Sequence, residues 1–144
     1  MPIVIKQQVR FKGISAAELF DIYTDPERHG AAVGAPATIS PSVGSDFSVF
    51  GPEGLKGRML YLDHGRIVVQ SWRSNAFTRS DPDSIVTLVF TPTEAGSRID
   101  LCHANVPARL TKNTSDGWRE MYWRPWRDYV RRQRGRPHHN PTSD

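Results

Sequence analysis

The sequence predicts an α+β fold in which a curved antiparallel sheet of about six to seven strands wraps round one long C-terminal helix. Three observations carry this expectation. Helical signals are segregated from strand signals: one strand, two short helices, a run of strands, and a last helix. The strands are separated by short turn-forming clusters, which joins them as an antiparallel meander. The only segment long and apolar enough to cover the sheet is the aromatic-rich C-terminal one.

The first element follows from Ile3, Ile5, Val9 and Phe11, which recur at even spacing and mark a half-buried strand from Ile3 to Phe11. Gly13 ends it. Ser15-Ala16-Ala17-Glu18 then fits a capping box, with the Ser15 hydroxyl taking a backbone N–H and Glu18 reaching back. Leu19, Phe20, Ile22 and Tyr23 supply the apolar side of that helix. Thr24-Asp25-Pro26 interrupts it and starts a second short helix, with Asp25 as cap and Pro26 in the first turn, ending near Gly30.

Six strands are expected from there on: Ala37 to Ser40, Asp46 to Phe50, Leu55 to Asp63, Arg66 to Arg73, Ile85 to Thr91 and Arg98 to Asn105. Clusters such as Gly51-Pro52-Glu53-Gly54, His64-Gly65 and Ser80-Asp81-Pro82-Asp83 form the turns. After the polar cluster Lys112 to Asp116 the period becomes helical, with Trp118, Met121, Tyr122, Pro125 and Tyr129 on one face and Trp126 beside it. Pro125 lacks an N–H and frees the carbonyl four residues earlier, which predicts a kink or local opening. The division expected is one domain over residues 1–130 and a basic, disordered tail over residues 131–144.

Composition excludes several classes. The 144 residues suit one core, and no apolar run approaches the ~20 residues that span a bilayer, so membrane insertion is not expected. Met1 to Phe11 has neither the apolar stretch nor the cleavage site of a secretory signal, and cytoplasm is the expected compartment. Lone Cys102 forms no internal disulfide and no multi-cysteine zinc site. The net charge is +4, but residues 131–144 hold four Arg and one Asp, +3 of that total, so nucleic acid is not an expected partner of the fold. The tail arginines Arg131, Arg132, Arg134 and Arg136 are read as a solvated segment.

Several segments together resemble a known family. They are Phe50-Gly51 with Gly57 on the next strand, the runs Arg66 to Arg73 and Val86 to Phe90, Leu101-Cys102-His103 with Val106-Pro107, and Gly117-Trp118 opening the last helix. In order and spacing these resemble the family named after the activator of heat-shock protein 90 ATPase, a branch of the START-related polyketide-cyclase (SRPBCC) superfamily. The resemblance covers about residues 3 to 130. It implies a helix-grip (START-like) fold, and a superfamily of lipid carriers, hormone receptors and aromatase/cyclases. It includes no counterpart of the additional N-terminal domain of the eukaryotic co-chaperone, so a chaperone is the weaker of the implied partners.

The candidate site is an apolar pocket between sheet and helix, taking a small hydrophobic or aromatic molecule. Its candidate ligand-binding residues are Phe50, Trp72, Phe77, Phe90, His103, Trp118, Tyr122 and Trp126, for each of which core packing is the competing account. His103 shares parity with Ile99 and Leu101, so an inward strand face would bury a titratable ring. A hydrogen-bonded core histidine outweighs an acid-base role there, and Tyr122 is the other proton-moving candidate for an enzyme of cyclase type. Of Arg66 and Arg73, at least one is expected toward solvent or the cavity mouth, with solvent the stronger reading, and Asp81 and Asp83 are explained by turn formation around Pro82. No G-x-S-x-G turn exposes a nucleophile. His138 and His139 lack the partners of a closed metal site, and neither a metal nor a cofactor is expected. The sequence assigns no oligomeric state.

Overall fold

The computed structural model describes residues 2–51 and 54–135. Strand β1 (Ile3–Lys12) is followed by helices α1 (Ala16–Thr24) and α2 (Pro26–Val33). Then come β2 (Ala37–Thr38), β3 (Asp46–Val49), β4 (Leu55–Asp63), β5 (Ile67–Trp72), β6 (Ser84–Pro92) and β7 (Gly96–Val106). The C-terminal helix begins with a 3-10 turn (Ala108–Leu110) and continues as α3 (Thr111–Gly117), a π-helical segment (Trp118–Trp123) and α4 (Arg124–Gly135). The seven strands lie in the order β1-β7-β6-β5-β4-β3-β2, all neighbours antiparallel.

The capping signals act as their chemistry dictates, with one exception. Ser15 accepts the Glu18 N–H at 3.0 Å, and Asp25 accepts the Arg28 N–H at 2.9 Å with Pro26 in the first turn. The Glu18 carboxylate, however, does not turn back to close the box; it pairs with Arg28 at 3.2 Å. Helix α2 also passes Gly30 and ends at Val33, because Gly34 takes the left-handed cap at φ 75° and donates to the Gly30 carbonyl.

One face of the sheet is apolar and meets the C-terminal helix. Alternation on β6 buries Ser84, Val86, Leu88 and Phe90, and on β7 Ile99, Leu101 and His103. Wholly buried Trp126 sits between Phe11, Tyr23 and Trp123, with ring centroids 6.0–6.2 Å apart. A ring of that size removes about 150–250 Å² from water, roughly 4–6 kcal/mol of transfer free energy. Helices α1 and α2 close one end of the sheet, where Phe20 meets Phe90 edge-on at 5.7 Å. β4 and β5 approach so closely at Gly57 that an added Cβ would lie 1.9 Å from the Ser71 carbonyl oxygen, so only glycine permits this bend.

The last helix differs from the sequence expectation in a way Pro125 explains. It starts before the polar cluster 112–116, which is helical rather than a linker, and it runs to Gly135, so residues 131–135 extend the helix past the expected tail boundary. Residues 136–144, including His138 and His139, lie outside the described residues. Between Trp118 and Trp123 the backbone widens to a π turn, and the Arg124 N–H donates to the Arg119 carbonyl five residues back. An α-helical register would point the Met121 carbonyl at the Pro125 ring, which has no N–H to offer; the wider turn relieves both faults. The consequence is a change of face: Trp123 is buried and stacks on Trp118 at 5.5 Å, while Met121 is exposed.

Candidate ligand cleft

At the end of the sheet away from α1, helix and sheet do not fully close, and a cleft of about 410 Å³ remains. Three segments wall it. The β3–β4 turn contributes Phe50, Gly54 and Leu55; the end of β5 and its following loop contribute Trp72, Ser74 and Asn75. The helix contributes Asn113, Thr114, Gly117, Trp118, Met121 and Tyr122. Buried Trp72, Trp118 and Tyr122 form the floor, and exposed Asn75, Asn113 and Met121 the rim.

The floor consists of aromatic faces; the polar ends of Trp118 and Tyr122 are engaged elsewhere, whereas the buried Trp72 Nε1–H has no hydrogen-bond partner among the described residues. Trp118 packs 4.9 Å from Tyr122 and lies nearly parallel to Trp72 at 6.3 Å. Phe50 closes the other side, edge-on to Tyr122 at 6.2 Å. Its backbone takes φ 66°, a region bulky residues avoid at a cost of about 1–3 kcal/mol, and the Phe50 N–H is held by the Pro36 carbonyl at 3.2 Å.

Two buried histidines anchor this floor from behind. Trp118 Nε1–H donates to His103 Nδ1 at 3.0 Å, which leaves the His103 proton on Nε2, 2.8 Å from Ser84 Oγ. Ser84 in turn donates to the Trp72 carbonyl at 2.6 Å. On the opposite side His29 donates from Nδ1 to the Tyr23 carbonyl at 2.6 Å and accepts from the Tyr122 hydroxyl at 2.8 Å. The Tyr23 hydroxyl donates to Gln70, whose amide reaches Met59 Sδ at 3.4 Å.

Burial sets the charge state of every group in these networks. It lowers His103 to about 3 and His29 to about 4, so both are neutral near pH 7. It raises the Tyr122 phenol well above its ordinary range, with nearby Tyr23 adding to the shift. Tyr23 is likewise pushed up by burial.

One flank of the cleft is a tied loop. Arg73 donates to the carbonyls of Thr78 and Asp81 at 2.8 and 3.1 Å and to the Asp83 carboxylate at 2.6 Å. Asp81 accepts the Thr78 N–H at 2.7 Å and a two-point contact from Arg109 on the 3-10 turn. The Arg109 contact, with the Thr78 N–H, holds the Asp81 carboxyl well below the usual carboxylate range. Asp81 and Asp83 thus shape the turn, as expected, and also bind it to the helix start; Arg66 is exposed.

Of the sequence candidates, Phe50, Trp72, Trp118 and Tyr122 come together in the cleft. Phe77 packs behind Trp72 at 5.9 Å, Phe90 lies in the core, Trp126 is at its centre, and His103 stands behind the floor. Sequence reasoning missed Leu55, Ser74, Asn75, Asn113, Thr114, Gly117 and Met121 as lining residues, and His29, Gln70 and Trp123 as supports. His29 did carry a signal, three residues before apolar Ala32 on one helical face.

A seven-stranded antiparallel sheet gripping a C-terminal helix, with an aromatic cleft between them, defines a helix-grip protein of the START-like kind. The chain belongs to the family described as Activator of Hsp90 ATPase homolog 1-like protein, whose model matches residues 14–130. Among solved structures it is similar to PFC0360w, an HSP90 activator from Plasmodium falciparum, at 21% identity over 90% of this chain and 96% of that one, TM-score 0.76. It is also similar to CalU16 from Micromonospora echinospora, at 22% identity over 92% and 78% of the two chains, TM-score 0.68. Protein MLL2253 from Mesorhizobium loti shares 16% identity over 93% and 99%, TM-score 0.72. These likenesses concern the fold. No curated protein matches the sequence. Among the described residues no helix is long and apolar enough to cross a membrane.

Proposed function

We propose that this chain is a binding protein whose aromatic cleft takes a small apolar or aromatic molecule without covalent chemistry. The observation that carries the reading is the cleft floor itself, three large rings facing an open space of about 410 Å³. That volume lies within the ~300–1,000 Å³ of small-molecule sites. The hydrogen bonds behind the floor support binding rather than proton transfer, since both nitrogens of His103 and of His29 already have partners and Tyr122 donates to His29. Titration with apolar and aromatic compounds, followed by tryptophan emission, should give a saturable change that Trp118→Phe diminishes. His103→Gln should leave affinity within a few-fold; a catalyst using His103 would lose turnover. A flat response in folded protein overturns the reading.

A second reading, regulation of a heat-shock protein 90 ATPase, is favoured by the family description. The chaperone's ATPase rate with and without the purified chain tests it. An unchanged rate removes it.

A further inference from the structure

We propose that the cleft selects an uncharged, planar aromatic molecule carrying a neutral hydrogen-bonding group at its outer end; this rests on the ligand-binding reading above. Among the described residues, none that lines the cleft bears a formal charge. The floor offers ring faces and a single unpartnered donor, the buried Trp72 Nε1–H, because the Trp118 N–H is spent on His103 and the Tyr122 hydroxyl on His29. A flat ring system is the shape that meets Trp118, Tyr122 and Phe50 with the most contact.

The rim has a different chemistry. Ser74, Asn75 and Asn113 bring one hydroxyl and two primary amides to the mouth, and the buried Thr114 hydroxyl also lines the cleft. Among the described residues, no intramolecular hydrogen bond uses the side chains of Asn75, Asn113 or Thr114. They can donate and accept, but supply no counter-charge. Of the cations near them in sequence, Arg73 pairs with Asp83 and Arg109 with Asp81, while Lys112 and Arg119 share Asp116 outside the cleft lining. A carboxylate seated in the cleft would exchange water for aromatic faces and neutral amides, with no cation among the described lining residues to compensate. An amide or hydroxyl at the same place finds both donors and acceptors. At interior packing density, ~0.74, the cleft accommodates roughly 300 Å³ of ligand atoms. About two or three fused rings with one substituent fit within that volume.

Three compounds of nearly equal shape separate the terms: 2-naphthamide, 2-methylnaphthalene and 2-naphthoate, each titrated calorimetrically into the full chain at pH 7. The amide should bind tightest, about tenfold or more above the carboxylate. Gly117→Leu should abolish amide binding, since a Cβ at Gly117 meets no heavy atom within 4 Å and Gly117 lines the cleft. Asn113→Lys should raise naphthoate affinity about tenfold. The melting curve of Gly117→Leu, expected at or above that of the parent, reports that this variant is folded. Naphthoate binding as tightly as the amide overturns the selectivity and leaves the ligand-binding reading standing. Equal binding of amide and methylnaphthalene overturns the role of the rim, and amide binding unchanged in Gly117→Leu overturns the placement. If none of the three binds the folded chain, this inference and the reading beneath it both fall.

Discussion

Gly117 joins α3 to the π turn and forms part of the cleft wall, so its substitution separates stability from binding. Its backbone is ordinary right-handed helix, φ −58°, and an added Cβ would find no heavy atom within 4 Å. A glycine inside a helix costs about 0.5–1 kcal/mol relative to alanine, because the unfolded chain loses more freedom on folding. Gly117→Ala should therefore stabilise the protein by about that amount. Unfolding entropy near 2.1 cal/mol/K per residue gives roughly 0.3 kcal/mol/K for a chain of this length, so the melting temperature should rise by about 2–3 °C. Gly117→Leu should gain nearly as much, leucine being close to alanine in helix propensity, while its side chain fills the cleft. Differential scanning calorimetry gives the first quantity and 2-naphthamide titration the second. A fall in melting temperature for Gly117→Ala would refute the assignment of open space at that Cβ. Unchanged affinity in Gly117→Leu would refute the cleft as the site.

Gly57→Ala tests the opposite situation, a Cβ driven to 1.9 Å from the Ser71 carbonyl; it should destabilise by more than about 4 kcal/mol, and a urea midpoint near that of the parent would show that β4 and β5 can part. Acid should unfold the protein through its buried histidines. With His29 at about 4 and His103 at about 3, the unfolded chain takes up protons below pH 6.5 that the folded one does not, so stability is present above pH 6.5 and lost as pH falls toward those values. Each histidine contributes about 1.4 kcal/mol per pH unit, on the order of 4 kcal/mol for the pair between pH 7 and 5, and His29→Gln should roughly halve that slope in urea unfolding. Asp81→Asn should release the β5–β6 loop from Arg109; hydrogen exchange at the Thr78 amide should quicken while exchange in β6 stays as it was.

Much of the fold was legible because its signals are local. Two-residue alternation marked β1, turn clusters bounded β4–β7, and the side chains of Ser15 and Asp25 marked both early helix starts through bonds that span three residues. Pro125 announced a disturbance in the last helix, again from its own covalent structure. The parity of His103 with Ile99 and Leu101 tied its burial to theirs, and the structure buries all three.

What the disturbance would be was a tertiary matter. The π turn widens one loop of backbone and rotates everything after Trp118, exchanging Met121 for Trp123 at the buried face; periodicity of 3.6 residues could not foresee it. The cleft depends on still longer-range facts. Phe50, Trp72 and Trp118 lie on three segments brought together only by the curl of the sheet, while equally aromatic Phe90 and Trp126 are packed solid. Sequence thus determined which side chains are large, flat and inward, because that follows from residue type and repeat. Only the tertiary structure decided which of them have a neighbour and which face open space, because that depends on how segments distant in sequence fill the volume between sheet and helix.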